Sequence, residues 1–158
     1  MGDGVRVGAR RCGGARGDAV SVLFACTVPG KPVPQGRARV GRWSTYYPET
    51  SVAYRKVLAD AFAAASPRRG IVEPVRVEVG VCGGRANSDL DNYAKMTLDA
   101  LQDAGVLASD DVRTVQALVL AVRGGAPCLS VTIEAVEPVP ATTKARTPRK
   151  LAAKKEAK

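Results

Sequence analysis

The residues most able to do chemistry are two aspartates one residue apart, a lysine four positions beyond the second, and another acidic pair downstream. The stretch reads Ser88-Asp89-Leu90-Asp91-Asn92-Tyr93-Ala94-Lys95, continues through Leu98-Asp99-Ala100-Leu101 and reaches Asp110-Asp111. Carboxylates crowded in this way repel one another, so the cluster is costly unless a cation sits among them. Oxygen donors with neither histidine nor cysteine suit Mg2+ or Mn2+ better than zinc. Such an ion polarises a phosphate, generates hydroxide from bound water and stabilises a leaving oxygen. Lys95, at the edge of the cluster, would donate to the phosphate oxygens or the leaving group as charge builds up. The chemistry indicated is phosphodiester hydrolysis. The plain alternative is a capped helix whose Asp91, Lys95 and Asp99 form exposed ion pairs at i,i+4 spacing, each worth about half a kcal/mol.

The elements that must position these residues follow from periodicity. Val20 to Val28 is a first strand. The proline- and glycine-rich run 29–36 is a loop without regular structure, leading into Arg37, Arg39 and Arg42 and then Trp43, Tyr46 and Tyr47. Thr50 or Ser51 caps a helix to about Ala65, with Tyr54, Val57, Leu58, Ala61 and Phe62 on its apolar face. Val75, Val77, Val79 and Val81 alternate with Arg76, Glu78 and Gly80 as a half-buried strand. A second helix starts at Asp89 or Leu90, buries Leu90, Ala94, Leu98 and Leu101, and stops at Gly105. Two strands, Val115 to Val122 and Leu129 to Val136, close the chain across Gly124-Gly125-Ala126-Pro127. The order β-α-β-α-β-β defines an α+β fold with a mixed β-sheet and two main helices. In it, the strand after the second helix is expected to bring Asp110-Asp111 back toward Asp89 and Asp91.

A chain of 158 residues is long enough for one domain with a real core. Residues 19–137 form that domain. Residues 1–18 read as a disordered basic extension, and 138–158 as a disordered basic tail whose composition cannot bury enough surface to fold alone. The net charge of +9 favours a polyanionic partner. Much of it is in the tails: residues 144–158 hold seven Lys/Arg against Glu156 alone. Specificity must therefore come from the central domain. Aromatic residues make up 4% of the chain, which argues against recognition of single strands by serial stacking. Histidine is absent, which removes histidine-based general base catalysis and nucleophile activation. The four cysteines, 12, 26, 82 and 128, contain no C-x-x-C pair and read as small buried hydrophobes in a reducing compartment. No apolar run approaches a membrane span, and the short run 19–28, interrupted by Ser21 and Thr27, reads as a strand. The expected location is the cytoplasm.

The pattern D-L-D-N-x-x-K at 89–95, followed by L-D-A-L, Gly105 and Asp110-Asp111, resembles the RusA family of Holliday junction resolvases. The segment Pro32-Val33-Pro34-Gln35-Gly36-Arg37-Ala38-Arg39, with Tyr47 after it, is similar to that family's proline-rich basic motif, with Gln35 and Ala38 where lysine and proline are common. The resemblance spans roughly 20–136. It implies a homodimeric, Mg2+-dependent endonuclease of bacterial or phage origin that nicks opposed strands of four-way DNA in recombination and repair. By motif position, Asp89, Asp91 and Asp111 would be catalytic metal ligands, Lys95 the cation near the scissile phosphate, and Asp110 an adjacent acid of open role. Lys31, Arg37, Arg39, Arg42 and Arg85 are the candidate DNA contacts. Two other readings stay open: a non-catalytic protein that binds branched DNA, and a phosphohydrolase acting on small phosphates.

Overall fold

The computed structural model describes residues 21–67 and 69–139. The basic extension and nearly all of the basic tail expected from the sequence lie outside the described residues, as does Cys12. The elements run β1 (Val22–Pro29), β2 (Arg39–Val40), β3 (Thr45–Tyr46), α1 (Glu49–Ala65), β4 (Val75–Cys82), α2 (Leu90–Asp103), β5 (Val115–Arg123) and β6 (Cys128–Ala135). The α+β class with a mixed sheet and two helices is thus observed, with one addition. The segment after the proline loop is not irregular throughout: it folds back as the small antiparallel hairpin β2–β3, closed by Gly41 N–H donating to Ser44 O at 2.7 Å.

The main sheet has the order β1-β6-β4-β5. β4 and β5 are parallel, joined through α2, whereas β6 is antiparallel to both β4 and β1. The two closing strands, consecutive in sequence, are therefore not neighbours. The α2 crossover has already laid β5 along one edge of β4, so β6 returns to the other and is enclosed between β4 and β1. Period-two alternation then sorts the side chains. Phe24, Cys26, Val28, Val77, Val79, Val81, Leu129, Val131 and Ile133 are buried on the face that carries the helices. Arg76, Glu78 and Glu134 lie on the other face and pair with one another and with Arg123.

α2 packs against β4 and β5 on one side and against α1 on another, so more of it is buried than one amphipathic stripe. Tyr93, Ala94, Met96, Thr97, Ala100 and Leu101 are inside, while Leu90 and Leu98 are only half-buried. The Thr97 hydroxyl is accommodated there by donating to Tyr93 O at 2.8 Å. α2 stops where Gly105 takes φ +68°, with Val106 N–H bonding back to Leu101 O at 3.0 Å. α1 starts earlier than its serine and threonine suggest. Pro48 supplies the fixed φ of −54° at the cap position and its carbonyl receives the Ser51 and Val52 N–H groups. Ser51 is used elsewhere: its Oγ accepts from Gly36 N–H at 3.0 Å. The inward face of α1 is carried by Leu58 and Phe62, the latter edge-on to Phe24 with centroids 5.9 Å apart. Val57 points outward instead. Truncating Leu58 or Phe62 to alanine is expected to cost about 3–5 kcal/mol.

Candidate active site and nucleic-acid surface

The turn from β4 into α2 is built by two glycines. Gly83 takes φ +68°, and a Cβ on Gly84 would sit 2.9 Å from Val81 Cγ1 and 3.0 Å from Tyr93 Oη. Only a bare backbone fits there. The next residue, Arg85, donates its N–H to the buried Tyr93 hydroxyl at 2.8 Å. The backbone of the loop is thereby pinned to α2 while the Arg85 side chain stays in solvent.

Asp89 caps α2 with extended backbone, yet its carboxylate makes no capping hydrogen bond. Asp91 follows in the first turn and Lys95 one turn on, and all three are exposed. Neither ion pair of the plain alternative forms. Among the described residues no salt bridge or side-chain hydrogen bond engages Asp89, Asp91 or Lys95. Two carboxylates and an ammonium group thus stand without side-chain partners among the described residues, at the helix end where the backbone dipole favours anions.

The remaining acids are engaged. Asp99 accepts from Arg55 Nη1 at 3.2 Å and from Gln35 Nε2 at 3.3 Å. Asp103 accepts two guanidinium donors of the same Arg55, one at 2.7 Å. Asp110 accepts from Gln102 Nε2 at 3.2 Å. Asp111 is held by Arg113 Nη2 at 2.6 Å and Nε at 3.0 Å, and by the backbone N–H groups of Arg113 and Thr114 at 2.9 and 3.2 Å. The Arg113 side chain, with those backbone donors, lowers the Asp111 pKa to about 2 against partial desolvation. Arg113 was not legible as a site residue. The only signal for it is the D-D-x-R spacing, in which an arginine two residues after an aspartate closes a local turn.

The second acidic pair does not come back to the first. β4 runs up to the turn at Gly83, α2 runs back down, and Asp110-Asp111 sit below, just before β5 sets off parallel to β4. A helix of 14 residues separates the two groups, an axial rise of about 21 Å. No three His, Cys, Asp or Glu side chains among the described residues converge to hold a metal ion. The expected convergence within one chain is thus corrected, because a βαβ crossover places the two ends of its helix at opposite ends of the strands.

The basic segment is brought to the first group instead. Gln35 N–H donates to Asn92 O at 3.0 Å, in the first turn of α2. Gly36 is pressed against the start of α1, where a Cβ would lie 2.7 Å from Pro48 Cγ. Gln35 itself is buried and serves as a structural tie between the loop and α2. From this anchor the chain projects the β2–β3 hairpin, with Arg37, Arg39 and Arg42 exposed along it and Lys31 exposed before it. The loop that leads into the hairpin thus meets the first turn of α2, which the Arg85-bearing turn enters from the other side of the sequence.

Fold and surface together define an α+β domain that ties the loop ahead of a basic hairpin to an exposed acidic helix start, an arrangement suited to a phosphate polyanion. The family model described as endodeoxyribonuclease RusA matches residues 29–134, and the chain belongs to that family. Membership makes it a nuclease, a hydrolase of phosphodiester bonds, of the Holliday junction resolvase kind. No curated protein matches the chain. Among the described residues no helix is long and apolar enough to cross a membrane.

Proposed function

We propose that this protein is a Mg2+-dependent, structure-specific endonuclease that resolves four-way DNA junctions by paired nicks as a homodimer. We place it in the cytoplasm of a bacterial or phage-infected cell, in recombination and repair. The observation that carries the reading is the set Asp89, Asp91 and Lys95, without side-chain partners among the described residues, at a helix start to which the loop before the basic hairpin is tied.

The donor chemistry fits a hard divalent cation: two carboxylates, free of side-chain partners among the described residues, at the positive end of a helix. Among the described residues one chain does not bring a third to them. A C2 dimer with the two α2 helices side by side and antiparallel would set Asp111 of a second copy against Asp89 and Asp91 of the first. Those three residues would then hold the metal, with Asp110 adjacent, and the ion would supply Lewis-acid activation of the phosphate and of water. Lys95 binds the scissile phosphate and balances the charge that develops as a water oxygen bonds to phosphorus and the ester P–O bond breaks. Lys31, Arg37, Arg39, Arg42 and Arg85 hold the flanking backbone, which gives affinity without sequence information.

The test is cleavage of a mobile four-way junction beside a linear duplex of the same sequence, with and without Mg2+. Metal-dependent paired nicks on the junction alone are expected, and equal cutting of duplex would remove the structure specificity. Mixing Asp91→Asn with Asp111→Asn chains addresses the shared site. Subunit exchange restores about a quarter of the sites if each is built from two copies, and none if each lies within one chain. A second reading, a binding protein that does not cut, is favoured by the absence of three converging carboxylates among the described residues. It requires bound but intact junctions at every metal concentration.

A further inference from the structure

The chain has seven aromatic residues, and their placement divides sharply. Phe24, Phe62 and Tyr93 are buried, and Tyr54, on α1, is half-buried with its hydroxyl enclosed. The other three, Trp43, Tyr46 and Tyr47, fall within five residues on or beside the β2–β3 hairpin, and all are exposed. Trp43, between the two strands, is 88% exposed, and Val40 beside it is 86% exposed. A hairpin with two-residue strands has no core contact that could shelter an indole. The Arg42 guanidinium covers the Trp43 ring at 5.3 Å from its centroid, so the tip carries a cation and a π face together.

We infer that Trp43 is a specificity-determining residue that stacks on a base unpaired at the branch point of the DNA, with Arg42 on the adjoining phosphate. The inference rests on the junction-cutting reading and names the residue by which branched DNA is told from duplex. A duplex offers no free base face, whereas an opened strand-exchange point does. One tryptophan suffices for one site, consistent with a chain too poor in aromatics to track a single strand. Charge selects DNA over a second copy as the occupant. Residues 19–48 contain no carboxylate, and two such hairpins would bring Arg37, Arg39 and Arg42 against their own like charges.

Trp43 is the only tryptophan, so tryptophan emission, excited to the red of tyrosine absorption, reports on it alone. The experiment titrates the full-length protein in EDTA with a four-way junction and with a linear duplex, reading tryptophan emission and gel mobility together. Quenching by the junction, with no quenching by bound duplex, is the expected result. Trp43→Ala should lose about tenfold in junction affinity and little in duplex affinity, with Trp43→Phe between. Junction binding with unchanged emission would overturn the stacking and leave the junction reading intact. Absence of any junction binding would remove both. A Trp43→Ala chain that sediments as a monomer where the parent is a dimer would assign the tip to self-association and overturn the inference.

Discussion

The two ends of α2 are made of the same kinds of residue and are treated in opposite ways. At the start, Asp89, Asp91 and Lys95 are exposed and none is engaged by a described side chain. Toward the end and beyond it, Asp99, Asp103, Asp110 and Asp111 are each matched to a donor, three of them to arginine. The fold has the means to neutralise carboxylates and uses them at one end only. A like-charged pair left unneutralised is kept at a cost in stability, and such costs concentrate where a ligand relieves them. Acids at the start of α2 should therefore matter for activity, and those at the end chiefly for stability. The exception is Asp111, which is paired in one chain and proposed to serve the site of another.

The strongest break in the comparison would come from Asp91→Asn. Cleavage of the four-way junction in single turnover should fall by about 10³-fold, with junction affinity retained or increased. Cleavage persisting near the parental rate would end the assignment of Asp91 as a ligand. Lys95→Ala comes next, with a loss of about 10²-fold in the cleavage step. Its stability should stay within about 0.5 kcal/mol of the parent, since no partner is lost. A fall in melting temperature equal to that of a core variant would instead mark Lys95 as structural.

Arg55→Ala probes the other end and should show the reverse pattern. Leaving Asp99 and Asp103 without their shared guanidinium is expected to cost about 1–2 kcal/mol, read as a lower denaturant midpoint, while the cleavage rate per folded molecule is unchanged. The smallest effect belongs to Arg113→Ala, which should let the Asp111 pKa rise from about 2 toward its ordinary 3.8. A depressed carboxylate adds stability that is complete above its unfolded pKa and disappears as pH falls through the folded value. The stability gap between parent and Arg113→Ala should therefore be constant above about pH 5 and close as pH drops toward 2. A gap that widens in acid would contradict the pairing.

Much of the fold was legible. The valine alternation of β4, the glycine that stops α2 and the D-L-D-N-x-x-K motif are all expressed within a few residues, and local backbone preferences act over that range. Where the reading fell short, the deciding contact was distant. Ser51 looked like a helix cap but bonds a loop 15 residues away. Val57 fitted an apolar stripe but faces solvent. Cys82 and Cys128 looked scattered, yet they are register partners across β4 and β6, free thiols on adjoining strands. The short hairpin β2–β3 escaped notice because two-residue strands carry no periodicity.

By itself, the sequence determined which segments become strands and helices, the family and the identity of the acidic and basic groups, because these depend on neighbours along the chain. Only the tertiary structure decided which charges remain unpaired. Arg55 reaches Asp99 and Asp103 across 44 and 48 residues. The Gln35–Asn92 hydrogen bond ties the loop ahead of the basic hairpin to the start of α2. The parallel β4–β5 pairing holds Asp110-Asp111 at the far end of that helix. A side chain's charge is written in the sequence, but whether it is satisfied depends on what the folded path sets within about 3 Å of it.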